Sequence, residues 1–226
     1  MNNFQAIIFD LDGTLVDSIC DIADAMNRTL MKYGFPIHSY SAYRYFVGDG
    51  LKSLVFNALP EEGKDENKVD ECFHVVLEDY LENYLVKSKL YDEIDDLLDA
   101  LSKKRIKMAI LSNKADAITQ KICRVLLRVW NFDIILGATD RFPRKPNPES
   151  ALFIAEKLNI SPENILYVGD TGIDMETANR AGMFAVGATW GFRKKEELEQ
   201  FGAKKIINHP LDLLTNGMDK MFCRMD

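Results

Sequence analysis

The sequence predicts a doubly wound α/β fold, a Rossmann-like parallel sheet covered on both faces, with an all-helical insert after its first strand. Three observations carry this. From about residue 86 onward, helically spaced segments alternate with short apolar runs; residues 16–85 break that rhythm; and the apolar runs end in polar clusters. The chain opens with the first strand, within 6–12, which ends in FDLDGTLVDS and so carries Asp10 and Asp12 at its carboxyl end. Asp-Gly between two apolar runs is also a hairpin signal. The helix–strand alternation downstream speaks against the hairpin, because a parallel strand is followed by a crossover rather than a tight turn. Between 16 and 85, the segments DSICDIADAMNRTLMKYG, SAYRYFVGDGLKSLVFNAL and ENKVDECFHVVLEDYLENYL all read as helical, and EEGKDENKVDE (61–71) reads as a solvated connection. Domains are therefore expected at 1–15 with 86–226, an α/β core, and at 16–85, a helical cap. Within the core, Ile94, Leu97, Leu98 and Leu101 mark a helix and IKMAILS (106–112) a strand. Ile118, Ile122, Val125 and Val129 then mark a helix over 116–129, and FDIILG (132–137) a strand. Helix 149–158, strand 164–170, helix 174–181, strand 184–189 and a short strand near 205–208 complete the order.

Composition narrows the class. With 226 residues, 47% hydrophobic and 28% charged, the chain can bury one large core or a core with a second lobe. A net charge of −7 and a pI near 5.1 argue against a nucleic-acid binder, which needs a basic face, but not against a small anionic ligand. Cys20, Cys72, Cys123 and Cys223 form no CxxC pair and the three histidines show no HExxH spacing, so the cysteines read as packing residues and no zinc site is expected. There is no basic stretch followed by an apolar segment at the start, and no apolar run approaches the roughly 20 residues that span a bilayer. A cytoplasmic location without a membrane partner is the expectation, as a monomer or homodimer.

The strand ends carry the chemistry. Besides Asp10 and Asp12, one strand ends in Ser112-Asn113, another segment leads to Lys145-Pro146-Asn147-Pro148, and a third ends in Gly169-Asp170-Thr171-Gly172-Ile173-Asp174. Each has an ordinary explanation as a cap or a turn. In a parallel sheet, however, all converge at the carboxyl edge, where such sheets bind ligands. Like charges 4 Å apart repel by about 4 kcal/mol at an effective dielectric near 20, so Asp10, Asp12, Asp170 and Asp174 together require cations. Lys145 supplies one, and oxygen ligands without His or Cys suit Mg²⁺. An EF-hand is ruled out because Gly13 falls at the fourth loop position rather than the sixth, and no GxxxxGK[ST] loop is present.

DLDGTLVDS, the LSN strand end, KPNP and GDTGIDM, in that order, resemble the four motifs of the haloacid dehalogenase superfamily, and within it the phosphatases with a helical cap after the first strand. The resemblance spans residues 6 to about 209; NRAGMFAVGATWGFRKKEEL followed by GAKKII is most similar to the phosphoglycolate phosphatase branch, with a pyrophosphatase branch near it. It implies Asp10 as a nucleophile forming an aspartyl-phosphate, and Asp12 as acid then base, with its backbone carbonyl on the metal. Mg²⁺ would be held by Asp10, Asp12, Asp170 and, more distantly, Asp174. Lys145 would act as the opposing cation, and Ser112 with the N–H of Asn113 as a phosphate cradle at a helix N-terminus. Gly13 and Thr14 would allow close backbone approach. Substrate selection is assigned to the cap, with Phe46–Lys52 as the candidate loop: Gly48 for close approach, and Lys52 or Arg44 for a substrate carboxylate. Trp190 and Arg193 are placed at the entrance or in packing. The implied partner is a small phosphorylated metabolite, foremost 2-phosphoglycolate. Pyrophosphate, nucleotides, and sugar phosphates for a phosphatase or mutase are alternatives inside the same chemistry, and a non-catalytic phosphoacceptor module is the alternative outside it.

Overall fold

The structure of the protein, a computed structural model, describes residues 4–215, so Cys223 lies outside the described residues. The fold divides into two compact units, one comprising the chain through Val16 and again from Leu90, the other Asp17–Lys89.

The first unit is built on β1 (Ala6–Phe9), which is wholly buried. After the helical insert it continues through α5 (Ile94–Lys103), β4 (Lys107–Ala115), α6 (Asp116–Leu126), β5 (Ile134–Ala138) and α7 (Glu149–Leu158). Then follow β6 (Ile165–Gly169), α8 (Gly172–Arg180), β7 (Phe184–Ala188), α9 (Lys195–Gln200) and β8 (Lys205–Ile207). The sheet order is β5-β4-β1-β6-β7-β8, with every pairing parallel. This is the doubly wound α/β fold that the alternation predicts. Strand order reverses at β1, so the crevice between the carboxyl ends of β1 and β6 is the topological switch point where such sheets take their ligands. Register fixes what meets there. Phe9 pairs with Ile110 on one side and Val168 on the other, so positions 10, 112 and 170 emerge at one edge.

Both faces of the sheet are covered. Ala6, Ile8, Ala109, Leu111, Ile165, Tyr167 and Ala185 pack against Ala151, Ile154 and Ala155 of α7, Met175 and Ala178 of α8, and Leu198 of α9. The alternate residues Ile7, Phe9, Met108, Ile110, Leu166 and Val168 are equally buried, which is why these strands read as continuous apolar runs. One expectation fails in α6. The helix ends at Leu126, and its buried stripe is Ile118, Thr119, Ile122 and Cys123, while Val125 and Val129 are exposed. Helical spacing from Ile122 is met equally by Val125 and Leu126, and periodicity alone does not say which way the stripe drifts.

The second unit contains α1 (Ile19–Lys32), α2 (Tyr40–Phe46), α3 (Leu51–Ala58) and α4 (Glu66–Asn83), with α1 and α3 both packed on α4. The segment SAYRYFVGDGLKSLVFNAL forms two helices, α2 and α3, joined at the expected loop Phe46–Lys52. It is broken at Val47–Gly50, where Gly48 and Gly50 adopt φ of 124° and 85°, the region that L side chains rarely enter. The run 61–71 is only partly a connection. Asp65 caps α4 by accepting from Lys68 N at 3.0 Å, and residues from Glu66 on are already helical. Short strands β2 (Val16–Asp17) and β3 (Lys89–Leu90) pair where the chain leaves and rejoins the first unit. The rejoining point lies a few residues beyond 86. Lys87 and Ser88 belong with the helices because the buried Asp21 of α1 accepts from Lys87 N at 2.9 Å, Ser88 N at 2.8 Å and Ser88 Oγ at 2.7 Å. Among the described residues no helix is long and apolar enough to cross a membrane.

Candidate active site

Asp10 is the first residue past β1, still tied to β6 by its N–H donating to Val168 O at 2.9 Å. Its Oδ1 accepts from Leu11 N at 2.7 Å and lies 3.0 Å from Lys145 Nζ. Asp170 follows β6 directly and is fully buried; its Oδ1 accepts from Thr14 Oγ1 at 2.9 Å and its Oδ2 from Phe192 N at 2.8 Å. Asp174 stands in the first turn of α8, where it completes a capping box with Thr171: its Oδ2 accepts from Thr171 N at 3.1 Å and Thr171 Oγ1 at 2.6 Å. Its Oδ1 is turned the other way and accepts from Lys145 Nζ at 2.7 Å. Carboxylate oxygens of Asp10, Asp170 and Asp174 lie within 4.8 Å of one another.

Lys145 lies between β5 and α7, and its ammonium is buried among these acids and the Leu111 carbonyl, 3.2 Å away. What places it there is Asn113. The side chain of Asn113 donates from Nδ2 to Lys145 O at 3.0 Å and accepts on Oδ1 from Lys145 N at 2.9 Å. Asn113, expected to offer a backbone donor to phosphate, thus also clamps the main chain that carries the cation. Ser112 is buried, and its Oγ accepts from Lys114 N at 3.2 Å. It does not sit at a helix N-terminus. β4 runs on to Ala115 through a register shift against β5, and α6 begins only at Asp116. The hydroxyl is therefore presented by an irregular strand end.

Gly13 and Thr14 are both at the site, for a more specific reason than backbone access. Gly13 has φ of 86°, and a Cβ there would stand 2.3 Å from Asp170 Oδ2. Only a glycine lets the loop after β1 close on Asp170 and bring the Thr14 hydroxyl to it. Trp190 supports the same loop, its Nε1 donating to Thr14 O at 3.0 Å, and Arg193 Nε lies 3.4 Å from Glu197. Asp12 faces a partner the sequence reading passes over. Lys114 Nζ donates to both of its oxygens, at 2.8 and 2.7 Å. A lysine after Ser-Asn reads as a solvated loop residue; the signal that could have found it is that β4 carries the chain on past Asn113. In the helical unit, Gly48 lies in the turn between α2 and α3, and Lys52 of α3 pairs with Asp70 of α4 at 2.5 Å.

Residues 7–188 match the haloacid dehalogenase-like hydrolase family. The chain belongs to that family. It is 37% identical over 211 residues to a phosphoglycolate phosphatase of Aquifex aeolicus, covering 93% of this chain and 95% of that one. It is 30% identical to a phosphoglycolate phosphatase of Colwellia psychrerythraea, over 88% and 90% of the two chains. Among solved structures, a haloacid dehalogenase-like hydrolase from Streptococcus pneumoniae superposes with a TM-score of 0.85 at 28% identity, over 93% of this chain and 97% of that one.

In this haloacid dehalogenase-like hydrolase the buried acidic cluster could hold a metal ion. With all three carboxylates ionised, the one ammonium would leave two negative charges uncompensated in a buried site. Burial pushes Asp10 up to about 7, opposed by Lys145 and reinforced by Asp174. Burial, with Asp174 and Asp10 as like-charged neighbours, drives Asp170 well above the usual carboxylate range. Burial alone would lower Lys145, but Asp10 and Asp174 outweigh it and hold its ammonium well above the ordinary value. Three oxygen donors without His or Cys form the donor set of a hard cation.

Proposed function

We propose that the protein is a Mg²⁺-dependent phosphatase that hydrolyses a small phosphomonoester, foremost 2-phosphoglycolate, through an aspartyl-phosphate on Asp10. The observation that carries this reading is the meeting of Asp10, Asp170 and Asp174 around Lys145 at the switch point of the sheet. The phosphatase names of the relatives support the substrate class. Asp10, Asp170 and Asp174, with the Asp12 carbonyl, are the residues that would hold Mg²⁺, which supplies charge neutralisation between the attacking carboxylate and the phosphate.

The rest of the chemistry belongs to the side chains. Asp10 attacks phosphorus, a carboxylate oxygen–phosphorus bond forms and the ester oxygen–phosphorus bond breaks. Asp12 gives its proton to the departing alkoxide. Asp12 then takes a proton from the incoming water, whose oxygen attacks the same phosphorus and returns the Asp10 carboxylate and inorganic phosphate. Lys145 holds Asp10 in position and counters charge on the transferred group, and the Ser112 hydroxyl and Asn113 N–H donate to its oxygens. Gly13 and Thr14 serve by fixing Asp170. Gly48 and Lys52 are retained as candidate substrate residues of the helical unit.

The test is steady-state hydrolysis of p-nitrophenyl phosphate and 2-phosphoglycolate with Mg²⁺, abolished by EDTA and restored by added metal. A single stoichiometric burst without turnover would indicate a phosphoacceptor module instead, and a strong preference for pyrophosphate would displace the substrate assignment.

The charge cluster also predicts a pH dependence of stability. Between the ordinary aspartate value of 3.8 and about 7, folded Asp10 keeps a proton that the unfolded chain has released. The metal-free protein therefore loses stability as pH rises through that window, by up to about 1.4 kcal/mol for each pH unit. Mg²⁺ and protons compete for the same oxygens, so Mg²⁺ should raise Tm more at pH 8 than at pH 5. Thermal melts with and without 5 mM Mg²⁺, roughly a saturating level, check this; equal increments at the two pH values would refute it.

A further inference from the structure

The cation on Asp12 has no part in the mechanism above. Lys114 Nζ lies 2.8 and 2.7 Å from the two oxygens of Asp12, and its side chain is 7% exposed against 17% for Asp12. Both residues belong to the unit that carries Asp10, so this placement is internal to the catalytic core.

An acid that protonates a departing alkoxide stands within hydrogen-bond reach of the ester oxygen. An ammonium bonded to that acid is then beside the first atoms of the leaving group. A carboxylate on the carbon next to the ester oxygen has its own oxygens three covalent bonds away, within the radius that Lys114 covers from Asp12. An ammonium has three N–H donors and can bridge two carboxylates. Among the described residues, Lys145 is committed to Asp10 and Asp174, and Arg193 Nε lies 3.4 Å from Glu197. Of the two cations expected from the sequence to take a substrate carboxylate, Lys52 and Arg44, Lys52 pairs with Asp70, and both lie in the helical unit rather than in the unit that carries Asp10.

We propose that Lys114 is a specificity residue that pairs with an anionic group on the carbon adjacent to the ester oxygen of the leaving group. The enzyme would then select small acidic phosphoesters over neutral ones of the same size. This rests on the phosphatase reading and on Asp12 as its acid, and deepens it by naming the residue that reads the leaving group.

The experiment compares kcat/KM for 2-phosphoglycolate with that for 2-hydroxyethyl phosphate, which replaces the carboxylate by a hydroxymethyl group of similar size. Wild type, Lys114→Met and Lys114→Arg are measured, with Lys114→Gln standing in if the Met variant fails to fold. Loss of a charge-assisted hydrogen bond is expected to lower the 2-phosphoglycolate preference by about 10- to 100-fold in Lys114→Met, chiefly through KM. Lys114→Arg is expected to keep most of that preference. A lysine that merely positioned Asp12 would lower both substrates in proportion and leave the ratio unchanged, which overturns the proposal, as does a wild-type ratio near one. A folded wild type that turns over neither substrate overturns the phosphatase reading and this inference with it.

Discussion

Asp10→Asn is expected to lower kcat by at least about four orders of magnitude while the protein stays folded. The amide has the shape of the carboxylate and can still accept the hydrogen bond that Leu11 N gives to Oδ1 at 2.7 Å. It has no anionic oxygen with which to attack phosphorus. The structure adds a second expectation that an ordinary active-site mutation would not carry. Asp10 is one of three acids crowded around a single ammonium, and burial has pushed it up to about 7. Neutralising it permanently relieves that crowding, so metal-free Asp10→Asn should melt at or above the wild-type temperature at pH 8. Activity assays and circular dichroism melts on the same preparations check both. Wild-type turnover in the folded variant would remove Asp10 from the role of nucleophile.

Lys145→Met is expected to abolish activity and to destabilise the metal-free protein by about 3–5 kcal/mol at pH 8, because removing one partner from a buried ionic cluster leaves the others uncompensated. Methionine retains most of the volume, so packing alone predicts a much smaller loss. Lys145 Nζ is 2.7 Å from Asp174 and 3.0 Å from Asp10, and both would face each other and Asp170 without a counter-charge. Acid should rescue the variant. Near pH 5 Asp10 and Asp170, both raised by burial, retain protons, so the penalty of the substitution shrinks. Urea unfolding of both proteins at pH 5 and pH 8 measures this, and an equal loss at the two pH values would show that Lys145 contributes packing rather than charge.

The fold and the charged centre were legible in the sequence for one physical reason. In a parallel sheet every strand points the same way, so a reader who locates β1, β4 and β6 knows that positions 10, 112 and 170 share an edge without knowing any distance. Side-chain partnerships are less accessible. The bonds Lys114–Asp12 and Thr14–Asp170 join residues 102 and 156 positions apart, and nothing in the local pattern around any of the four announces the other. Asn113 was found as a site residue, but its side-chain clamp on Lys145 follows from how the loop before α7 returns to β4. Val125 and Val129 show the converse failure, apolar residues at acceptable spacing that the end of α6 leaves in solvent. The break at Val47–Gly50 falls inside the loop Phe46–Lys52 that its two glycines mark in the sequence.

The order β5-β4-β1-β6-β7-β8 makes the first strand of the chain an interior one, completed on one side by a strand that is synthesised much later. A polypeptide emerging from the ribosome therefore carries Asp10 long before it carries Asp170 and Asp174, and no early fragment can offer the three oxygens together. On the proposed function, affinity for a divalent ion would arrive only when nearly the whole core has been made. Ion uptake would thus mark the close of folding, and a nascent or truncated chain would be spared both the repulsion of the assembled acids and the premature capture of metal.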